Sequence, residues 1–434
     1  MVSLCFVLQF GAAARVNAET ELGPEEAVSL ALENNLNLKK SLLDLGASGY
    51  SEKNLWSEIF PSISTSASIG YGSPVFSGSG FEFNDRSLSY RIGLGVNLGL
   101  NAGIPYSIKN IKLAHQSDIL KYEDARNQLS IRVTRNYYSL IAEKNNLDYL
   151  GEILNLAEKQ YEKSEVSFKN GLAGELALLQ SKLAVENARY ALSAAAIVYA
   201  NNIGEFLAVL GMAQDEKVSL LGEIKIIRIE ADAQELIVRY LPGRPDMLRG
   251  LQEIERLEYG QKQAVLQGRA PSLNLSLDWN GSNFDPFTDR FDAAARLSIP
   301  IDPWIPGTPK EQSFKRAGDA VEKARLDLTI TEDSAKTQIR SLTALLRNSW
   351  DSIEIARLRA DIAERSYQLT EQGFRNGTVE SLALEDARNN MADARQRLLL
   401  SELSYFNMTL DLASALNIGW EYLMETYGVK SEKK

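Results

Sequence analysis

The sequence predicts a mainly α-helical chain with transmembrane β-strands, built twice over from one unit: a shorter helix, a pair of strands and a long coiled-coil hairpin. Three observations predict it. Motifs return at a fixed offset, apolar residues recur every seven positions through long proline-free stretches, and four segments alternate between polar and less polar residues.

The duplication is read directly from the 434 residues. Leu156-Ala157-Glu158-Lys159-Gln160-Tyr161 with Phe168-Lys169-Asn170-Gly171 returns 206 positions later as Ile362-Ala363-Glu364-Arg365-Ser366-Tyr367 with Phe374-Arg375-Asn376-Gly377. At the same offset Leu178, Val185, Leu192, Tyr199 and Phe206 meet Leu384, Met391, Leu398, Tyr405 and Leu412. A match held over several helical turns marks two repeats, placed at 19–222 and 223–434. Each opens with a shorter helical stretch, Pro24 to Ser57 in the first and Ala233 to Gly268 in the second.

The hairpins follow from the seven-residue period. Val133, Leu140, Leu147, Leu154, Tyr161 and Phe168 are each seven apart, and Ile339, Leu346, Ile353, Ala360, Tyr367 and Phe374 repeat that register. A period of seven means supercoiling helices. The stretch from Tyr106 to Lys169 holds no proline, so at 1.5 Å per residue it reaches roughly 95 Å, well beyond a globular helix. Asn170-Gly171 and Asn376-Gly377 close these helices, because glycine takes the left-handed conformation of a helix C-terminus without a Cβ penalty.

The strands are expected at 61–72, 86–100, 271–280 and 291–301. In the first, Ile63, Thr65, Ala67, Ile69 and Tyr71 interleave with Ser62, Ser64, Ser66, Ser68 and Gly70; in the second, Leu88 to Leu100 alternate with Ser89, Arg91, Gly93, Gly95, Asn97 and Gly99. Leu273, Leu275, Leu277 and Trp279 oppose Asn274, Ser276, Asp278 and Asn280, and Phe291 to Ile301 oppose Asp292, Arg296 and Ser298. About ten residues with such a dyad is the pattern of a membrane-barrel strand. The alternation places Ser66, Arg91, Asp278 and Arg296 toward a lumen and Ile69, Leu94, Leu275 and Leu297 toward lipid. Four strands cannot close a membrane barrel, since barrels begin at about eight, so several chains must share one. A soluble sheet with one wet face fits the same dyad, but the Gly-, Ser- and aromatic-rich loops at 73–85 and 281–290 and the export signal favour lipid.

That signal is residues 1–18, an apolar stretch from Val2 to Ala14 and a small-x-small site, Val16-Asn17-Ala18. Beyond it no run of eighteen apolar residues occurs, so no helical span is expected. The net charge of −10 and the absence of a basic stripe argue against nucleic acid as a partner. With one cysteine, Cys5, and one histidine, His115, neither a disulfide framework nor a metal centre can be built, and His115 reads as a solvated side chain on a polar helix. No glycine-rich phosphate loop, nucleophile elbow or metal-ligand spacing is present, so neither an enzyme nor a cofactor is expected.

Leu22-Gly23-Pro24-Glu25-Glu26-Ala27-Val28-Ser29-Leu30-Ala31-Leu32-Glu33-Asn34-Asn35 resembles the opening helix of the outer-membrane efflux (TolC) family, where an E-E-A, A-L-x-N-N pattern recurs. Arg244-Pro245-Asp246-Met247 resembles the R-P-D-L that opens the family's second half. Asn170-Gly171-Leu172 and Asn376-Gly377-Thr378 resemble its hairpin tips, V-G-L and V-G-T, with asparagine for valine. The order, spacing and duplication of these motifs cover nearly the whole mature chain.

The resemblance implies a homotrimeric outer-membrane channel, each subunit giving four strands to a shared barrel and its hairpins to a periplasmic α-helical tunnel. Such a channel is the exit duct of a tripartite efflux or type I secretion system, passive and opened by a periplasmic adaptor and an inner-membrane transporter. The tips 170–172 and 376–378 are then the adaptor-docking points. The family's gate motif, D-x-L-D-A, is kept in part as Leu384-Glu385-Asp386-Ala387, with Ala383 at the first aspartate. The resemblance therefore implies one acidic ring at the periplasmic mouth, from Asp386 and Glu385, that is cation-selective and sensitive to multivalent cations and low pH. The rival reading is a periplasmic coiled-coil adaptor or scaffold without a membrane barrel.

Overall fold

Proline, glycine and asparagine set most of the helix ends among the described residues. The computed structural model describes residues 20–72, 87–282 and 287–429. The export signal, the loop 73–85 and Arg86 lie outside them. The chain opens with β1 (Thr20–Leu22), α1 (Pro24–Asn34) and α2 (Leu36–Lys53), followed by β2 (Ser62–Gly72) and β3 (Ser87–Leu100). The first long hairpin is α3 (Ile104–Lys169) and α4 (Glu175–Leu210). After β4 (Val218–Leu220) the order recurs as α5 (Ala233–Tyr240), α6 (Pro245–Arg269), β5 (Ser272–Ser282), β6 (Thr288–Ser298), α7 (Pro309–Arg375) and α8 (Ser381–Leu416), closed by α9 (Trp420–Tyr427).

The two opening stretches, read as single helices, are each broken. Asn35 has extended backbone (φ −60°, ψ 124°). Its Oδ1 accepts the N–H groups of Asn37 at 3.0 Å and Leu38 at 3.1 Å, so it ends α1 and caps α2. In the second half Pro242 lies in a tight turn at Leu241–Gly243 and Pro245 starts the next helix, because proline can open a helix but not continue one. β6 starts and ends three residues before the expected 291–301. Pro300 lacks the N–H a strand there would donate.

One compact unit comprises residues 1–40, 123–244 and 335–434 and holds both hairpin tips. Its core has Tyr137, Phe206, Leu207, Leu210, Tyr405, Phe406 and Leu410 fully buried. One tyrosine from each hairpin fastens connecting chain to this core. The Tyr137 hydroxyl donates to the Leu22 carbonyl at 2.7 Å and accepts the Leu221 N–H at 3.0 Å. The Tyr405 hydroxyl donates to Ile227 O and accepts from Ile229 N, both at 2.9 Å. A buried phenol needs both bonds to offset its desolvation, and burial pushes the Tyr405 hydroxyl up to about 12. These contacts order β1, which pairs parallel to β4, and the bridge between Ile229 and Gly428.

The other unit comprises residues 41–122 and 245–334. It carries an antiparallel four-stranded sheet in the order β2-β3-β5-β6. Its helices meet closely at glycines: a Cβ at Gly268 would stand 2.5 Å from the Phe314 ring, and one at Gly250 would stand 2.7 Å from Leu328. Arg269 lies over Trp304 and Phe314 at 5.0 and 5.2 Å. His115, read as solvated, is instead held between helices, its side chain 18% exposed. Nδ1 lies 3.1 Å from Ser48 Oγ and Nε2 lies 3.5 Å from Glu52 Oε2.

Candidate functional site

The sheet register decides which strand residues share a face. Ser66 pairs with Gly93, Gly93 with Asn280 and Asn280 with Arg290; directly paired residues point the same way, and residues two apart along a strand do too. Ser66, Arg91, Asp278 and Arg296 therefore lie on one face. Ile69, Leu94, Leu275 and Leu297 lie on the other. The polar face also holds Ser64, Asn97, Arg290 and Asp292, with Arg290 Nε 2.7 Å from Asp292 Oδ1. Side chains lean over the glycines of β3: a Cβ at Gly93 would lie 2.8 Å from Ser66 Oγ and 3.0 Å from Asn280 Oδ1, and one at Gly95 would lie 2.9 Å from Asp278 Oδ1. The opposite face leaves Ile63, Ile69, Tyr71, Leu94, Leu277, Phe291 and Leu297 exposed in the single chain. A contiguous apolar face of this kind on a folded chain calls for lipid or another protein.

Both hairpins turn by the same device. Gly171 and Gly377 are left-handed, with φ of 72° and 74°. Gly171 N–H donates to Phe168 O at 2.9 Å and Leu172 N–H to Ser167 O at 2.8 Å; Gly377 and Thr378 repeat this with Phe374 O and Gly373 O at 3.0 and 2.9 Å. This pair of bonds satisfies the orphan carbonyls at a helix end. The tips differ in surface. Leu172 is 82% exposed, whereas Thr378 turns its hydroxyl back onto Gly373 O at 3.0 Å. Asn170 and Asn376 are both exposed.

In the first turns of α8 the two acids of the partial gate motif diverge, since successive helical residues point about 100° apart. Asp386 is exposed and Glu385 half-buried. Glu385 lines a cleft of about 250 Å³ between the hairpins of its own chain, together with Lys159, Lys163, Glu371, Arg375 and Arg388. Arg388, which sequence reading missed, is 7% exposed. No pattern of period signals a buried arginine. Beside the cleft Ile153, Ala157, Val185, Ala188 and Met391 form a small core, with Tyr149, Tyr161 and Tyr367 packed on it.

A second missed feature was legible by period. On α4, Leu176, Leu183, Tyr190 and Ile197 are each seven apart and 69, 60, 78 and 61% exposed, a coiled-coil seam without a partner among the described residues. α4 is also the one described helix long and apolar enough by composition to cross a membrane, with mean hydropathy 1.3 over its most apolar window. Lys182, Glu186 and Arg189 interrupt its surface.

A sheet with one polar and one apolar face, joined to two long hairpins, defines a subunit of a strand-anchored helical channel. The chain belongs to the outer membrane efflux protein family, whose model matches residues 27–211 and again 236–417. It is 22% identical over 411 residues to the toluene efflux pump outer membrane protein TtgC of Pseudomonas putida, covering 91% of this chain and 83% of that protein. The CmeC outer membrane channel of Campylobacter jejuni shares its fold with a TM-score of 0.73 at 18% identity, over 94% of this chain and 87% of that one. The outer membrane protein VceC of Vibrio cholerae gives a TM-score of 0.70 at 15% identity, over 92% and 96%. The chain is thus an outer-membrane efflux channel rather than an adaptor or scaffold, and its family is one of channel proteins, not enzymes.

Proposed function

We propose that three copies of this chain share one outer-membrane β-barrel continued by a periplasmic α-helical tunnel. The assembly is the passive exit duct of a tripartite system, opened by a periplasmic adaptor and an inner-membrane transporter. The observation that carries this reading is the sheet, whose register gathers polar residues on one face and apolar residues on the other. The outer strands β2 and β6 have no further strand partner among the described residues, and in hydrocarbon each unpaired backbone group costs several kcal/mol. Joining β6 of one copy to β2 of the next removes both edges. The unpartnered seam on α4 supports the same association in the helical part. Ser66, Arg91, Asp278 and Arg296 then line the lumen, the tips 170–172 and 376–378 meet the adaptor's helical hairpins, and Asp386 supplies the acidic ring at the periplasmic mouth, while Glu385, expected beside it, turns into the cleft between the hairpins.

Substitution on the two faces tests this. Leu94→Arg puts a charge near mid-bilayer at a cost of roughly 2–4 kcal/mol, and detergent-extracted trimer should be lost from outer-membrane fractions. Ser66→Arg should assemble normally and lower single-channel conductance. Equal damage to assembly by both would show that the faces are wrongly assigned.

A further inference from the structure

The cleft between the two hairpins holds a guanidinium, that of Arg388, with no ion-pair partner among the described residues. Arg388 is largely buried, makes no hydrogen bond or ion pair among the described residues, and buries its Nε without an acceptor, leaving the terminal guanidinium nitrogens to face the cleft. Arginine keeps its proton in proteins, so burial cannot be relieved by neutralisation. A buried charge is normally paired, because leaving it alone is strongly unfavourable.

A second donor in the same cleft is in the same condition. Gln160, on α3, lines the cleft with Arg388 of α8, and its Nε2 is also enclosed without an acceptor. Lys159 and Lys163 stand at the exposed rim. Two carboxylates share the cleft. Glu371 is engaged by Arg375, and Glu385, one turn before Arg388, forms no ion pair with it. Four cationic side chains, Lys159, Lys163, Arg375 and Arg388, thus line the cleft against two carboxylates, and its volume of about 250 Å³ exceeds the roughly 30 Å³ that one water occupies.

We propose that this cleft binds a small oxyanion, a carboxylate or a tetrahedral anion such as sulfate or phosphate, accepting from the terminal guanidinium nitrogens of Arg388 with Lys159 and Lys163 at the rim. Bound there, the anion joins α3 of the first hairpin to α8 of the second and fastens the hairpins together. The inference does not rest on export, and its test reads neither transport nor conductance.

The test uses the full chain purified in detergent, with thermal unfolding followed in sodium sulfate, sodium acetate and sodium chloride at matched ionic strength. A saturable rise of about 1–3 °C in sulfate or acetate over chloride is expected. Arg388→Met should abolish the rise yet unfold no lower than the parent in chloride, since an apolar side chain of similar length removes an unbalanced charge. Glu385→Gln should shift the rise to lower anion concentration by removing a competing carboxylate. Crystals of the unaltered chain soaked in selenate should show anomalous density at Arg388. The proposal is overturned if neither anion gives a saturable rise, or if Arg388→Met keeps it. It is equally overturned if selenate appears only elsewhere, an adventitious ion only. Should Arg388→Met and Glu385→Gln both unfold several degrees lower in chloride, Glu385 is the internal counter-ion and the site is not an anion site.

Discussion

The return helices of the two hairpins, α4 and α8, occupy equivalent places in the duplicated sequence, yet their outward surfaces differ in kind. At the offset of 206, the α4 seam of Leu176, Leu183, Tyr190 and Ile197 corresponds to Leu382, Asn389, Gln396 and Leu403. Polar residues fill the middle of that stripe, with Asn389 and Gln396 exposed. The charged positions differ as well: where α8 has Asp386 and Arg388, α4 has Gln180 and Lys182. Both helices keep their inward contacts, Val185 and Met391 being equivalent members of one core. The duplication thus preserved the packing of a hairpin and released its outer face. On this account α4 became the seam between copies, and α8 carries the charges of the cleft and the mouth.

The largest expected effect breaks that comparison at the seam. Leu183→Asp buries an unpaired carboxylate between copies at a cost of about 3–5 kcal/mol per interface, and native mass spectrometry in detergent should find monomer. Asn389→Asp, at the equivalent place on α8, should stay within about 0.5 kcal/mol and leave the trimer intact. Dissociation by both substitutions, or by neither, would erase the distinction.

The tips come next, and here the hairpins are expected to behave alike. Proline cannot take the positive φ of Gly171 or Gly377, so either substitution distorts one tip locally by about 3 kcal/mol. Gly171→Pro and Gly377→Pro should each abolish export measured in cells while leaving folded trimer in the membrane. Continued export from either variant would exclude that tip from docking.

The smallest effect concerns the mouth. Asp386→Ala should lower cation selectivity in planar bilayers and weaken block by a trivalent cation about tenfold, ~1.4 kcal/mol. Gln180→Ala, its first-half equivalent, should change neither. If block survives in Asp386→Ala, Asp386 points away from the tunnel.

Features set by a local period were legible in the sequence. The seven-residue spacing from Val133 to Phe168 and the dyad of Ile63 to Tyr71 each recur within a few residues, and the structure has α3 and β2 there within two residues of the expected ends. Features set by one distant partner were not. Asn35 breaks a helix by capping the next one while its Nδ2 donates to Val209 O at 3.0 Å, a contact no local pattern announces. The three-residue strands β1 and β4 have no period to show, and exist because Tyr137 holds their ends. Arg388 and His115 looked like ordinary polar positions on helices; only the neighbouring helices enclose them. The α4 seam has a readable period of its own, seven residues from Leu176 to Leu183, Tyr190 and Ile197.

The central claim, that one face of the sheet lines a water-filled lumen and the other meets lipid, is tested most directly by cysteine accessibility in an open channel. Cys5 is the only native cysteine, so Ser66→Cys and Leu94→Cys each introduce one informative thiol. In planar bilayers, a charged methanethiosulfonate reagent should reduce the single-channel conductance of Ser66→Cys in discrete steps and leave Leu94→Cys unchanged. Block of Leu94→Cys with Ser66→Cys unaffected, or the absence of any channel from the assembled protein, would contradict the account.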